Sequence, residues 1–193
     1  YADVILSNAF PGRFAELLQS LNTFRIDFGQ DIAPGGGGRA KHTKRFDESL
    51  YAQGWAKHNV TIEKLIDDVP IFRTRGHEID VFKLGEDDDY PGVAVEMEWN
   101  NKDPFYHRDL NNFAGLHREG VIAVGVILTR GPGLQLRLEA GGKAGHYSED
   151  KYGKATTHWD KLLPMVNLGA GGECPLLLIG IEGDRVDGWP SGI

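Results

Sequence analysis

Residues 93–105 read VAVEMEWNNKDPF, and their alternation puts Val93, Val95 and Met97 on one side of a strand and Glu96 and Glu98 on the other. Two carboxylates on one face repel each other, so they call for solvation or for a divalent cation. Just upstream, HEIDVF at 77–82 has the same period, with Glu78 and Asp80 on one face and Ile79 and Val81 on the other. The segments 78–82 and 93–99 are predicted to pair as an antiparallel hairpin, or to be near neighbours in one sheet. Aligned by their apolar faces, they bring Asp80, Glu96 and Glu98 together, with the backbone carbonyl of Met97 nearby. Hard oxygen donors of this kind suit magnesium, which keeps several waters and takes one or two carboxylates plus a phosphate. Such an ion acidifies a bound water and stabilises charge on a phosphate in flight. On spacing alone, an exposed acidic face explains the pattern more often than a metal does.

Working outward, RFAELLQSLNTF at 13–24 has Phe14, Leu17, Leu18 and Leu21 at helical spacing. The run GGGGR at 35–39 reads as a mobile linker, because it lacks the Lys-Ser/Thr ending and preceding strand of a phosphate-binding loop. KRFDESLYAQGW reads as a helix with Phe46, Leu50 and Trp55 inward, ending near Gly54. VTIEKLI reads as a strand, followed by an Asp67-Asp68 turn and the extended stretch PIFRTRGHEIDVF. Beyond the quoted stretch, HRDLNNFAGLH offers Leu110, Phe113, Ala114 and Leu116 to a helix. VIAVGVILT is a strand covered on both faces, and CPLLLIGI is a second. Between them lie an irregular stretch and the helix TTHWDKLLPMVN, interrupted or ended near Pro164. The fold class predicted is α/β, a central mixed β-sheet with helices against both faces, in a single domain spanning 1–193.

The chain of 193 residues carries a net charge of −7, which argues against indiscriminate coating of nucleic acid. Basic residues cluster at Arg39, Lys41, His42, Lys44 and Arg45, while Glu86 to Asp89 read as a solvated acidic turn. The one cysteine, Cys174, excludes an internal disulfide and reads as a buried, inert thiol in a reducing cytoplasm. No apolar run approaches the roughly 20 residues that span a bilayer. No secretory signal opens the chain, and its start at Tyr1 leaves room for a few residues before it. His107 and His117 read as surface or packing residues, and most of Trp55, Trp99, Trp159 and Trp189 as core or interface aromatics.

HEIDVFK followed by VAVEMEWNNKDPFYHRDLNNF closely resembles the BglII/BamHI-like type II restriction endonucleases of the PD-(D/E)XK nuclease superfamily. GGGGRAKHTKRFDESLYAQGW upstream and YGKATTHWDKLLP downstream are also similar, so the resemblance spans roughly residues 35–165. It implies a restriction-endonuclease-like core in which Asp80 and Glu96 bind Mg2+, with Mn2+ a substitute. Glu98 stands where the superfamily usually has lysine, a departure shared with the BamHI-like branch, and is a candidate base or water-orienter. Lys102 lies beyond the strand motif and does not take that lysine's role. Glu48 is a further catalytic candidate, since relatives carry an acid on a preceding helix; as an exposed helix residue it has a plain alternative. The resemblance further implies a homodimer on double-stranded DNA, a six-base-pair palindromic site with a GATC core, and 5′-phosphate ends.

Recognition of DNA takes phosphate clamps and base-edge readers. Asn100 and Asn101 are candidates to read bases and Lys102 to hold phosphate; alternatively, one asparagine only terminates the strand. Arg130 ends a strand, and Lys154, Thr156, Thr157 and His158 precede a helix whose N-terminus offers amides to phosphate. Thr156 or Thr157 equally fits an N-cap. Three other readings compete: a repair or structure-specific nuclease with the same core, a non-catalytic DNA-binding module, and a metal oxygenase using His77, Glu78, Asp80 and a distant histidine.

Overall fold

The stretch quoted above forms the central strand of a five-stranded sheet. The protein is described by a computed structural model covering residues 1–34, 38–102 and 104–193. The glycines 35–37 of the expected linker lie outside the described residues. In chain order the elements are α1 (Ala2–Ala9), α2 (Pro11–Thr23), β1 (Ile26–Asp27), α3 (Lys41–Tyr51), β2 (Ala56–Val60), β3 (Glu63–Ile66), β4 (Val69–Arg73), β5 (His77–Lys83) and β6 (Gly92–Glu98). There follow α4 (Pro104–Arg118), β7 (Ile122–Arg130), α5 (Pro132–Lys143), α6 (Trp159–Asn167), β8 (Leu176–Ile181) and β9 (Val186–Asp187).

The sheet runs β2-β5-β6-β7-β8. Its first two pairings are antiparallel and its last two parallel, the mixed α/β architecture predicted. β6 and β7, rich in β-branched residues, sit centrally and are buried almost throughout. On one face Val81, Val93, Val95 and Met97 join a core with α1, α2, α3 and α5. On the other, Ile79, Phe82 and Ala94 meet Tyr106, Leu110, Phe113 and Leu116 of α4 and Leu162 of α6. The Phe113 ring packs against β7 at Gly125, where an added Cβ would stand 2.4 Å from the ring. Glycine is what lets α4 approach that closely.

The predicted hairpin is present, with Val81 opposite Val95 and Lys83 opposite Val93. The faces within β5 differ from expectation, because Ile79 and Val81 belong to opposite cores. From His58 to Ala56 the partner strand advances from Ile79 to Phe82, so β5 carries an extra residue around Asp80. Such a bulge breaks the two-residue period and re-aims the side chain beside it. VTIEKLI is not one strand but the end of β2 and all of β3, and PIFRTRGHEIDVF divides into β4 and β5. The Asp67-Asp68 turn between β3 and β4 is as predicted, with both φ values positive (47° and 64°).

α3 buries Phe46 and Leu50 and stops just before Gly54, which takes a φ of +85°. Trp55 is buried beyond the helix end. α6 continues through Pro164 to Asn167 rather than ending there. β8, expected to be covered on both faces, is an edge strand and mostly half-buried. The stretch 131–155, expected to be irregular, contains α5. Leu134, Leu136 and Leu138 suggest a strand-like alternation there, but Leu134 and Leu138 face inward one helical turn apart while Leu136 is exposed. Among the described residues no helix is long and apolar enough to cross a membrane. Cys174 is buried, and burial pushes its thiol up to about 11, as suits an inert group.

Candidate active site

Beyond Val81 the contact between β5 and β6 passes to a side chain, as the Asp80 amide donates to Glu96 Oε1 at 3.0 Å. The re-aimed Asp80 carboxylate is one-third exposed and faces Lys57 at 3.5 Å and Arg39 at 3.3 Å. Arg39 also ion-pairs with the buried Asp47 of α3, so one guanidinium bridges two carboxylates. The Tyr51 hydroxyl donates to the Asp80 carbonyl at 2.8 Å and ties α3 to the middle of β5. One pleat on from Glu96, Glu98 accepts from the Asn101 side chain at 2.5 Å and from Arg108 at 3.5 Å. Arg108 also holds the buried Asp109 of α4 at 2.8 Å.

Asp80 and Glu96 thus meet between β5 and β6, Glu98 follows one pleat on, Asp47 of α3 lies near Asp80, and Asp109 of α4 lies near Glu96 and Glu98. Burial, reinforced by Asp109 and Asp80, holds the Glu96 carboxyl well above the usual range. Glu98 and Asp109 are both raised, by burial first; proximity to Asp109 raises Glu98 further, while Arg108 holds Asp109 back. Asp47 is pushed up to about 6 by burial, against the pull of Arg39. Too few cations neutralise this cluster, and a hard dication is the complement such a donor set lacks. Among the described residues no three acidic, histidine or cysteine side chains converge as a finished metal cage.

The second acid expected from a preceding helix is differently placed. Glu48 is exposed and pairs with Lys44 at 3.7 Å, while its neighbour Asp47 turns inward to the site. The signal was present in the sequence: Thr43, Phe46, Asp47 and Leu50 form one helical stripe, all buried. Asp109 sits likewise in the stripe Tyr106, Leu110, Phe113 and Leu116. An acid within an apolar helical stripe marks a buried charge, and both were missed. The Met97 side chain packs in the opposite core, leaving its carbonyl as the group of interest.

The residues expected on DNA fall into two sets. Asn100, Lys102 and Lys154 are exposed, and Lys102 forms an isolated antiparallel bridge with Thr156 that joins the two segments. Asn101 is exposed but committed: its side chain holds Glu98, its amide donates to Thr157 Oγ1 at 3.2 Å, and its carbonyl accepts from the Thr157 amide at 2.8 Å. These bonds fit the alternative in which one asparagine has a structural place after the strand. Arg130 is fully buried rather than available to phosphate. It donates to Thr157 O at 2.6 Å and Thr156 Oγ1 at 2.6 Å, with its guanidinium 5.2 Å from the Tyr152 ring. Thr157 is wholly buried, so neither threonine caps α6; the N-cap is His158, itself 6% exposed. Arg130, Thr157 and His158 thus support the surface from within.

His77 Nδ1 lies 2.9 Å from Asn112 Oδ1, and Glu78 pairs with Lys57 at 2.7 Å. The facial triad of an oxygenase is therefore not assembled around Asp80 among the described residues. A family model, Restriction endonuclease BglII/BglIII, matches residues 1–181, well beyond the stretch that carried the resemblance. The chain belongs to this restriction endonuclease family, and it is thereby a hydrolase that cleaves double-stranded DNA at specific sites. A search of curated proteins found no match.

Proposed function

We propose that the protein is a homodimeric, magnesium-dependent type II restriction endonuclease of the cytoplasm, acting as one nuclease domain over 1–193. It would cut both strands of a short palindrome with a GATC core and leave 5′-phosphates. Two-fold protein symmetry then matches the two-fold symmetry of the site, with one centre per strand. Asp80, Glu96 and the Met97 carbonyl would hold Mg2+, or Mn2+ in its place. When bound, the ion acidifies a water and offsets charge on the phosphate.

Glu98 orients the attacking water and accepts its proton, while the new O–P bond forms in line and the 3′ oxygen departs with its electron pair. Because burial raises its pKa, the ionised Glu98 carboxylate is a stronger base than an ordinary glutamate. Asn101 and Arg108 keep it in place. Asp47 and Arg39 position Asp80 from α3. Asn100 would read a base edge, and Lys102 and Lys154 would hold phosphates on the joined surface.

The observation that carries this reading is the under-neutralised acidic cluster at the end of β6, beside an exposed Asn-Lys surface, in a chain of this family. Incubation with plasmid DNA of known sequence and Mg2+ tests it. Discrete fragments whose sequenced ends fall at GATC-centred palindromes and religate without a kinase step are expected. A smear, or no cutting with either metal, would overturn it.

A further inference from the structure

β3 and β4 form a two-stranded hairpin separate from the main sheet, and every residue of both strands is exposed. Leu65, Ile66, Val69, Ile71 and Phe72 are each between 53% and 61% exposed, and none belongs to either core. The pairs Lys64–Phe72 and Ile66–Val69 alternate with Leu65–Pro70, so Ile66, Val69 and Phe72 share one face. Asp67 and Asp68 close the tip in a tight turn whose positive φ values match the twist of a hairpin. An isolated hairpin is marginal in water, and an exposed apolar one invites a cover.

Its position is informative. β5 runs antiparallel to β6, so the His77 end of β5 stands at the Glu98 end of β6. The hairpin leaves the sheet there, its base prolonged by the Thr74 amide to Ile62 O at 2.9 Å and the Ile62 amide to Thr74 Oγ1 at 2.9 Å. It therefore projects from the catalytic end of the sheet. DNA is a poor occupant for its outer part: between residues 65 and 72 the only charges are Asp67 and Asp68, and phosphates repel them. An apolar protein surface fits.

We propose that the β3–β4 hairpin is a dimerisation arm that docks on a second copy of this chain. The inference rests on the homodimeric reading above and names a surface for it. Area supports a copy of itself as the occupant. Five large apolar side chains, each a little over half exposed, offer roughly 400–500 Å2. Two arms related by a two-fold axis, with the surfaces they cover, would bury about 1,600–2,000 Å2, the size of a standard specific interface.

The test compares the full chain with an Ile66→Ser/Phe72→Ser variant by sedimentation equilibrium without DNA. Neither side chain touches a core, so the variant is expected to keep the wild-type circular dichroism and melting temperature. The wild type should be a dimer, and the variant's dissociation constant should rise about 10,000-fold, as for four truncated anchors, two on each arm, of about tenfold each. An independent measurement on the wild type alone is hydrogen exchange across residues 63–73, which should slow as concentration passes through the dissociation constant. An unchanged dissociation constant, concentration-independent exchange, or a wild type monomeric with and without a duplex would each overturn the arm. So would a variant that dimerises normally but loses DNA binding, since the hairpin would then contact the duplex. Failure of the wild type to cut DNA while dimeric overturns the proposed activity instead and leaves the arm standing.

Discussion

Glu98 and Asp109 are two buried carboxyls that share the Arg108 guanidinium, and such a pair costs stability whenever both are ionised. Their folded pKa values are raised, so the stability they permit is complete below the unfolded value and is lost as pH rises through the folded one. Glu98→Gln is therefore expected to stabilise the metal-free protein by about 1 kcal/mol at pH 8, raising Tm by about 2–4 °C, and to do much less at pH 5. Calorimetry at the two pH values reads the difference. The same variant should cleave about 100- to 10,000-fold more slowly, because it cannot accept the proton. Asp80→Asn and Glu96→Gln should abolish cleavage while specific binding, measured in calcium, persists or tightens; wild-type turnover in either would remove these residues from the centre. His42 has the opposite sign: packed against Trp99 with no hydrogen-bond partner among the described residues, it is pushed down to about 4 by burial. The stability it favours is present above the unfolded value of about 6.5 and falls as pH drops toward the folded one. His42→Leu should shift the acid-unfolding midpoint to lower pH, as followed by circular dichroism.

Between residues and molecule stand the segments 100–102 and 156–157, joined by backbone bonds and fastened from beneath by Arg130. Arg130→Met should destabilise the protein by about 3 kcal/mol, since it leaves the buried Thr157 carbonyl without its donors. If the surface is merely supported, specific and random DNA should both bind less well in that variant. Lys102→Ala should instead leave Tm unchanged and flatten the salt dependence of binding by about one unit. Asn100→Ala should cost about 1–3 kcal/mol at the cognate site and little on random DNA, as titrations at several salt concentrations would show. The sequence made this region legible only in part. The strands 92–98 and 122–130 were readable because their alternation or continuous apolarity is forced by the sheet, and 77–83 was readable as a strand but not in its faces, which the bulge at Asp80 shifts. Arg130 misled because a cation at a strand end reads as surface, and only the three-dimensional neighbourhood of Thr156, Thr157 and Tyr152 shows the interior it occupies. Glu48 misled for a simpler reason, since adjacent acids on a helix point about 100° apart and only the stripe through Phe46 and Leu50 decides which faces in.

Taken as a whole, the molecule holds its acidic cluster under tension that the core on both sides of the sheet must withstand. A dication that binds the folded chain should relieve it. At a concentration about 100 times its dissociation constant, Mg2+ is expected to add about 2.7 kcal/mol, or roughly 5–11 °C in Tm, at pH 8. At pH 5, where the carboxyls hold protons, the gain should shrink; an equal gain at both would place the ion elsewhere. β1 and β9 bear on a different matter. Ile26 pairs with Val186 and Asp27 with Asp187, and Arg25 is bonded to Asp187 and to the Asp184 carbonyl at 2.7 Å. These partners are separated by about 160 positions in the chain, so the contact cannot form until residue 187 has been made. While the polypeptide is still emerging from the ribosome, the strand at 26–27 waits unpaired, and the helical layer in front of the sheet stays open along that edge. That edge of the nuclease closes only once residues 186 and 187 have emerged.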